Sequence, residues 1–285
     1  MKIIESIKEF EAEIESLKTA GKTIGFVPTM GALHDGHKVL VVKSVAENDC
    51  CIVSIFVNPT QFNNLTDLEK YPRDLNRDSE LLESVGCKII FAPKAEDIYQ
   101  NDELNNRFDF DFGGLDTVME GRFRPGHFNG VVQIVSKLFN IVQPDKAYFG
   151  EKDFQQLSII HRMVKLMKYN VEIIDCPIVR EPTGLAMSSR NERLTVEQRL
   201  IASEISKVLF ESCNFAPQLS PLEITKQVIS KINNIAELEV EYFDIVDVES
   251  LQTIHNWSKP AVGCIAVFCG EVRLIDNIKY KTINN

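Results

Sequence analysis

The fold of this chain of 285 residues is decided by the stretch Pro28-Thr29-Met30-Gly31-Ala32-Leu33-His34-Asp35-Gly36-His37. An apolar run at 23–27 precedes it, and an aliphatic run at 39–46 follows it. This order predicts a strand, then a turn that contains glycine, then a helix. The two histidines lie where the helix starts, at a spacing that puts them on one face of it. Because a helix start offers backbone N–H groups and the positive end of the dipole, the segment suits a phosphate chain.

The alternation of apolar runs with helical patterns continues to about residue 180. The predicted strands are 23–27, 51–57, 87–92, 146–149 and 171–174. The predicted helices between them lie near 37–48, 73–85, 129–142 and 153–168. We therefore predict an α/β fold with a Rossmann-like parallel sheet and helices on both faces. In such sheets, ligands bind beyond the carboxyl ends of the strands.

The pattern changes in the last third of the chain. It predicts helices near 196–213 and 221–234, followed by strands at 240–248, 262–269 and 272–278. The last two strands, joined by Gly270-Glu271, read as a hairpin. We therefore expect two domains: a Rossmann-like nucleotide-binding and substrate-binding domain at 1–180, and a smaller α+β domain at 181–285 that carries the Met-Ser-Ser-Arg segment.

The composition argues against several classes of protein. Asp and Glu number 41 against 31 Lys and Arg, which gives a net charge of −10 and disfavours binding to nucleic acid or to an anionic membrane. No apolar run approaches the roughly 20 residues that span a bilayer. The 7 cysteines include no Cys-x-x-Cys pair, so we expect reduced thiols in a cytoplasmic protein and no zinc site.

Two polar segments follow predicted strands or precede predicted helices in the first domain. Asn58 and Gln61 stand after the second strand, where their amides can read a hydroxyl and a carboxylate together. A loop with Arg122, Arg124 and His127 precedes a predicted helix and could close over an anion. Each segment taken alone also fits an ordinary turn or a solvated linker.

Two further segments present cations and hydroxyls. Lys152 follows Gly150 in the first turn of a predicted helix, where its charge opposes the helix dipole and a bound phosphate would offset the cost. Ser188 and Ser189, followed by Arg190, suit a triphosphate whose charge is redistributed during reaction. Nucleotide chemistry is therefore the function that the segments favour jointly.

The His-x-x-His segment and the later Met-Ser-Ser-Arg segment together resemble the paired HIGH and KMSKS signatures of the adenylate-forming nucleotidyltransferase superfamily. Within that superfamily, the wording of five segments closely resembles the pantoate–β-alanine ligase family, over essentially the whole chain. The segments are Pro-Thr-Met-Gly-x-Leu-His-x-Gly-His at 28–37, Val-Asn-Pro-x-Gln-Phe at 57–62, Arg-Pro-Gly-His-Phe at 124–128, Phe-Gly-Glu-Lys-Asp at 149–153 and Met-Ser-Ser-Arg-Asn at 187–191.

The resemblance implies an activity and its requirements. Members of this family condense (R)-pantoate with β-alanine at the expense of ATP, through a pantoyl-adenylate, and release AMP and pyrophosphate with pantothenate. It further implies a need for Mg²⁺ and a cytosolic homodimer. It leaves the magnesium ligands unassigned.

The resemblance also implies roles for individual residues. Gln61 matches a residue that contacts both pantoate and β-alanine, Gln156 matches one that holds pantoate, and we add Asn58 to this substrate-binding set. The position of His37 is that of a proton donor. The expected catalytic donors are His34, His37, Lys152, Ser188, Ser189 and Arg190. The expected ATP contacts are Met30, Gly31, Ala32, Leu33, His34, Asp35, Gly36, His37, Gly150, Glu151, Lys152, Asp153, Val179, Met187, Ser188, Ser189 and Arg190.

Other functions share parts of this pattern. A class I aminoacyl-tRNA synthetase carries the paired signatures, but it needs a basic surface for tRNA that this acidic chain lacks. A transferase similar to phosphopantetheine adenylyltransferase is the main alternative, and it would release pyrophosphate without AMP. A nucleotide sensor without catalytic activity would bind ATP only.

Overall fold

A six-stranded parallel sheet forms the centre of the first part of the chain. We describe it from a computed structural model, which covers residues 1–62, 68–69, 71–99, 101–104, 106–216 and 218–281. The strands are β1 (Lys2–Ile4), β2 (Ile24–Thr29), β3 (Cys50–Ile55), β4 (Ile89–Phe91), β5 (Lys146–Gly150) and β6 (Glu172–Cys176). Their order across the sheet is β1-β4-β3-β2-β5-β6, so the order reverses between β2 and β5. Such a switch point is where open α/β sheets bind ligands, and Thr29 and Gly150 end the two strands there.

The prediction of a Rossmann-like parallel sheet is confirmed, with one strand added. β1 pairs in parallel with β4 at the edge of the sheet. Its three residues are too few to show an alternating pattern in the sequence. The predicted strands are found with their ends shifted by at most two residues; β2, for example, runs on through Pro28 to Thr29.

Helices cover both faces of this sheet, as predicted. The helices up to β6 are α1 (Ile7–Thr19), α2 (Asp35–Glu47), α3 (Leu75–Ser84), α4 (Ala95–Ile98), α5 (Met119–Phe123), α6 (His127–Val142) and α7 (Phe154–Met167). On one face, Phe10 of α1 stacks on Phe91 of β4, and Phe26 of β2 meets Phe139 of α6 edge-on. Val27, the next residue of β2, points to the opposite face and packs in the cluster covered by α2 and α3.

The last part of the chain forms a smaller α+β fold, which confirms the second half of the fold prediction. Its elements are α8 (Val196–Phe215), α9 (Pro221–Asn233), β7 (Leu238–Asp247), β8 (Ala261–Cys269) and β9 (Val272–Tyr280). The strands are antiparallel in the order β7-β8-β9, and β8 and β9 form the expected hairpin. Leu209 of α8 and Ile232 of α9 share one buried cluster with Ile265 of β8, so both helices pack on one face of this sheet.

Local sequence explains where both of these helices begin. The Thr195 hydroxyl accepts from the backbone N–H of Gln198, whose side chain in turn accepts from the backbone N–H of Thr195. Ser220 and Glu223 make the same reciprocal pair at the start of α9. These capping boxes satisfy N–H groups that the first turn of a helix leaves without partners.

The chain divides into two units by its internal contacts. The N-terminal unit is Met1–Asp116, Gly121–Glu151 and Gln156–Cys176, and the C-terminal unit is Thr117–Glu120, Lys152–Gln155 and Pro177–Asn285. The C-terminal unit therefore includes two short segments from earlier in the chain, which we call the inserted segments. The domain boundary at residue 180 stays a prediction. In the part of the chain that the structure describes, no helix is both long and apolar enough to cross a membrane.

Gly25 allows α2 to pack closely against β2. A Cβ atom at this position would lie 2.3 Å from Ser44 Oγ and 2.4 Å from Asn48 Nδ2. The Asn48 amide donates to Ser44 O and to the hydroxyl of Tyr148, so it cannot move aside without losing hydrogen bonds. We predict that Gly25→Ala lowers the free energy of unfolding by about 1–3 kcal/mol through overpacking, measured by urea denaturation.

A second strand glycine gives the matched control. A Cβ atom at Gly150 of β5 would meet nothing within 4 Å. We expect Gly150→Ala to change the free energy of unfolding by no more than about 0.5 kcal/mol. An equal loss in the two variants would contradict the packing role of Gly25.

Candidate active site

A buried carboxylate holds the loop that follows β2. Asp78 of α3 is 2% exposed. Its Oδ2 accepts from Ala32 N at 2.9 Å, and its Oδ1 accepts from Leu33 N at 2.8 Å. Gly31 and Ala32 both have positive φ, +79° and +52°. Because an alanine rarely adopts this conformation without support, the two hydrogen bonds to Asp78 explain how the loop keeps it.

The environment of Asp78 sets two opposing effects on its ionisation. Burial raises the pKa of this carboxyl, while the N–H groups of Leu33 and Ala32 lower it; the net shift is upward. The sequence predicted N–H groups for a ligand at the helix start; in the loop before it, the N–H groups of Ala32 and Leu33 bond to a carboxylate of the protein. Contact of these two residues with ATP stays a prediction.

The two histidines cap α2 together. His34 is the N-cap residue, and its Nδ1 accepts from Gly36 N at 3.1 Å. His37 Nδ1 accepts from His34 N at 3.4 Å, and the ring centroids lie 4.1 Å apart. A backbone N–H can only donate, so each Nδ1 presents its lone pair and each neutral ring carries its proton on Nε2. The arrangement therefore prepares both rings as Nε2–H donors.

Asn58 organises the turn that follows β3. The side chain is 1% exposed. Its Nδ2 donates to Gly130 O at 3.0 Å and to Gln61 Oε1 at 3.3 Å, and its Oδ1 accepts from the Tyr99 hydroxyl at 2.6 Å. The amide predicted to read substrate is thus bonded to the protein on both of its atoms. Direct contact with substrate stays a prediction, while the contacts show that Asn58 orients Gln61.

Gln61 is held from two further sides. Its Nε2 donates to Met30 Sδ at 2.6 Å, which joins the turn after β3 to the loop after β2. Its backbone carbonyl accepts from His127 Nδ1 at 2.8 Å, so the neutral ring of His127 carries its proton on Nδ1. A Cβ atom at Gly130 would lie 2.5 Å from Thr60 O, so glycine is needed for α6 to approach this turn.

The loop around His127 was predicted as a possible anion contact. The structure instead buries His127 against the backbone of Gln61. Arg122 is exposed, and its guanidinium lies 4.8 Å from the centroid of the Phe123 ring. Arg124 accepts from His127 N through its backbone carbonyl. The imidazole thus supports the turn after β3, a role that the sequence pattern did not indicate.

The residues after β5 fall in both units. Gly150 and Glu151 belong to the N-terminal unit, while Lys152 and Asp153 belong to the C-terminal unit. Glu151–Asp153 forms a single 3₁₀ turn, in which Lys152 Nζ lies 3.2 Å from Asp153 Oδ2. The lysine charge that was expected to need a bound anion therefore already has an acidic neighbour. Gln156, on α7, is half-buried in the N-terminal unit.

The segment from Val179 to Arg190 folds as a short hairpin and turn within the C-terminal unit. Met187 N donates to Val179 O at 2.9 Å. Ser188 then caps a 3₁₀ turn, Ser189–Arg193, by accepting from Arg190 N at 3.2 Å. Residues 187–190 are all half-buried. The backbone of Val179 and the Met-Ser-Ser-Arg segment are thereby brought together, as the predicted ATP site requires.

A cavity of about 430 Å³ opens at the carboxyl edge of the sheet, near the ends of β3 and β4. Met30, Gly31 and Asp78 contribute to its wall. A volume of this order is typical of small-molecule sites. The loop held by Asp78 therefore borders ligand-sized space.

Comparison with known proteins identifies relatives over the whole chain. The family model described as pantoate-beta-alanine ligase matches residues 2–279. Pantothenate synthetase from Phocaeicola vulgatus is 58% identical over 284 residues, covering 99% of this chain and 100% of the relative. Pantothenate synthetase from Porphyromonas gingivalis is 52% identical over 283 residues, covering 99% and 100%.

Solved structures of proteins with the same names are also similar to this chain. Pantothenate synthetase from Thermus thermophilus superposes with a TM-score of 0.91 at 39% identity, covering 99% of this chain and 100% of the other. Pantoate-beta-alanine ligase from Francisella tularensis, complexed with beta-gamma ATP and beta-alanine, gives a TM-score of 0.81 at 38% identity, covering 98% and 97%.

The role of Asp78 can be tested by removing its charge without changing its shape. In Asp78→Asn, one of the backbone N–H groups of Ala32 and Leu33 faces an amide N–H₂ in place of an oxygen. We predict a loss of about 1–3 kcal/mol in the free energy of unfolding, because a buried donor loses its partner. We also predict faster amide hydrogen exchange at Ala32 and Leu33, measured by NMR or mass spectrometry.

Asp74 provides a control on the same helix. Its Oδ1 accepts from Arg77 N at 3.0 Å as the N-cap of α3. Asparagine caps helices about as well as aspartate, so Asp74→Asn should leave both measurements nearly unchanged. If Asp78→Asn were no more disruptive than Asp74→Asn, the proposed hold on the loop would be wrong.

Proposed function

The chain belongs to the pantoate–β-alanine ligase family, and we propose that hydrogen-bond donors at two of its segments carry the chemistry. The protein is an ATP-dependent ligase that joins pantoate to β-alanine to give pantothenate. The observation that carries the proposal is the pair of Nε2–H imidazoles at the start of α2, beside the switch point of the sheet.

We propose two chemical steps. A carboxylate oxygen of pantoate attacks the α-phosphorus of ATP, which forms pantoyl-adenylate as the bond to pyrophosphate breaks. The amine of β-alanine then attacks the acyl carbon, the new amide loses a proton, and AMP leaves. Because the first step brings two anions together, positioning and electrostatic stabilisation supply most of the catalysis.

The histidines would act as fixed donors to the phosphates. The hydrogen bonds to Nδ1 of His34 and His37 direct each Nε2–H away from the capping contacts. A helix start disfavours an imidazolium, so neutral donors suit this place. We propose that His37 stabilises developing charge by hydrogen bonding, and that proton transfer from it is not required.

The C-terminal unit would supply the remaining donors to ATP. Lys152 contributes an ammonium group, and the Met187–Arg190 segment contributes hydroxyls and a guanidinium. These groups suit the charge that develops when pyrophosphate leaves. Their family match, together with the hydrogen bond that closes this segment onto Val179, supports the assignment.

Pantoate would be oriented by the amides of the N-terminal unit. Gln61 is held by Asn58 and Met30, so its amide is fixed before substrate arrives. Gln156 is the second amide that we assign to pantoate, on the basis of the family match. Fixing the attacking carboxylate of pantoate in this way removes motion that would otherwise slow its attack on the α-phosphorus of ATP.

Magnesium, assembly and location complete the proposal. Among the described residues, no three His, Cys, Asp or Glu side chains cluster as a metal site, so Mg²⁺ would enter on the phosphates of ATP with water completing its shell. The family resemblance supports a homodimer. The seven cysteines are all free thiols, which supports a reducing compartment such as the cytoplasm.

One assay tests the proposed reaction against its alternatives. Purified protein is incubated with ATP, Mg²⁺, pantoate and β-alanine, and AMP and pantothenate are quantified. We expect both products in equal amounts, and no pantothenate when either pantoate or β-alanine is omitted. Pyrophosphate release without AMP in the complete mixture would favour an adenylyltransferase, and ATP binding without any product would favour a sensor; either result would overturn the proposal.

The role of His37 is tested with a variant that keeps a donor. Glutamine can accept from His34 N and still donate through its amide, but it cannot transfer a proton at neutral pH. We predict that His37→Gln retains kcat within about tenfold, whereas His37→Ala loses about 10²–10³-fold, measured as pantothenate formation.

A matched control uses a histidine outside the site segments. His161 on α7 bonds to Asp175 and is exposed, so His161→Gln should leave kcat unchanged. If His37→Gln were as inactive as His37→Ala, proton transfer from His37 would be essential.

A further inference from the structure

We infer that Asp276 and Asn277, neighbouring residues of β9, are positioning residues for the ATP-binding segments of the C-terminal unit. The inference rests on the proposed roles of Lys152 and of the Met187–Arg190 segment. Both side chains are buried, at 5% and 4% exposure. Asn277 bonds to the backbone of Lys152, and Asp276 bonds to Arg180, at the start of the hairpin that carries Met187–Arg190.

Asn277 fixes the backbone at Lys152. Its Nδ2 donates to Lys152 O at 3.0 Å. The bond holds the main chain from which the lysine side chain extends, while Asp153 Oδ2 lies 3.2 Å from the ammonium nitrogen. Asn277 therefore fixes the point on the main chain from which the Lys152 side chain reaches toward ATP.

A second residue of β9 anchors the other inserted segment on the same face. Arg273 is four residues before Asn277, so both side chains lie on one face of the strand. Its guanidinium makes a bidentate contact with Glu120, at 3.0 and 2.6 Å. Gln155 then ties the two inserted segments together, donating to Val118 O at 2.8 Å. Asn277 therefore belongs to a set of contacts that hold the Lys152 segment against the strand.

Asp276 fixes the base of the Val179–Arg190 hairpin. Its two carboxylate oxygens accept from Arg180 at 2.6 and 2.9 Å, in a bidentate pair. Arg180 also donates to Gly184 O at 3.1 Å, which closes the hairpin that it starts. A charge buried as deeply as Asp276 is tolerated only when paired in good geometry, and this pair supplies it. The hairpin that carries the Met187–Arg190 segment is thus fastened to β9.

Because Asp276 and Asn277 are adjacent, a single strand holds both of the proposed ATP-binding segments. Successive residues of a strand point to opposite faces, so one dipeptide holds the Lys152 segment on one face and the hairpin on the other. β9 itself is paired with β8 in unbroken register, from Cys269↔Val272 to Ala261↔Tyr280. The spacing of the two donor segments is therefore set by a rigid strand. A displacement of about 1 Å in such groups can cost about 10²-fold in rate.

The test removes the donor of Asn277 and measures the adenylation step alone. In the absence of β-alanine, pantoate-dependent exchange of labelled pyrophosphate into ATP reports that step. We expect Asn277→Leu, which keeps the side-chain volume, to lower kcat for exchange by about 10–100-fold. The KM for pantoate should change by less than about twofold, because Gln61 and Gln156 belong to the N-terminal unit.

Asn277→Asp is the second variant, for the case in which the apolar replacement fails to fold. It keeps the shape of the side chain and loses the N–H₂ donor, so the same loss of exchange is expected. Circular dichroism and the thermal midpoint check that each variant is folded.

Trp257→Phe is the matched control in the same unit. Trp257 Nε1 donates to Leu219 O at 2.8 Å, so the change also removes one side-chain donor to a backbone carbonyl. It should lower the thermal midpoint and leave kcat for exchange unchanged. Unchanged exchange in both folded Asn277 variants, or equal losses in them and in Trp257→Phe, would overturn the inference.

Lys152→Ala separates this inference from the proposed function. If Lys152→Ala loses exchange while the Asn277 variants keep it, the positioning role fails and the role of Lys152 stands. If Lys152→Ala keeps full exchange, the proposed role of Lys152 fails, and the positioning inference falls with it.

Discussion

The candidate site in the N-terminal unit depends on two hydrogen bonds. The backbone N–H groups of Ala32 and Leu33 donate them to the buried carboxylate of Asp78. These bonds hold the loop in which Gly31 and Ala32 adopt a left-handed conformation after the end of β2. That conformation turns the chain so that His34 becomes the N-cap of α2. The capping contacts of His34 and His37 then fix both ring tautomers. A carboxylate on another helix therefore determines which nitrogen of each histidine can donate.

In both units, buried polar side chains hold loop segments in place through hydrogen bonds. In the N-terminal unit, the buried side chains of Asp78 and Asn58 bond to backbone groups and so hold the loops that carry the proposed donors and amides. In the C-terminal unit, two residues of β9 have a similar role: Asp276 accepts from the Arg180 guanidinium, and Asn277 donates to the backbone carbonyl of Lys152. Buried polar groups of this kind are costly unless satisfied, and once satisfied they hold a unique geometry. In the proposed mechanism, the ligase chemistry depends on that geometry more than on reactive side chains.

Much of the fold could be predicted from the sequence, and so could the strands and helices next to the candidate site segments. The strands and helices have clear periodicity and capping residues, and the His-x-x-His segment follows a recognisable strand. Asp78 could not be found in this way, because it lies 45 residues from Leu33 in sequence and belongs to no local pattern. The burial of Asn58 and the hydrogen bond from Asn277 to Lys152 O were also missed. Each depends on tertiary contacts that composition and spacing do not contain.

The central claim is that the loop held by Asp78 presents His34 and His37 as neutral Nε2–H donors. The most direct measurement is ¹⁵N NMR of the histidine ring nitrogens at neutral pH, with assignments from His34→Gln and His37→Gln. The account predicts that both rings show an unprotonated Nδ1, shifted by hydrogen bonding, and a protonated Nε2. A proton on Nδ1 of either ring, or an imidazolium at neutral pH, would contradict it.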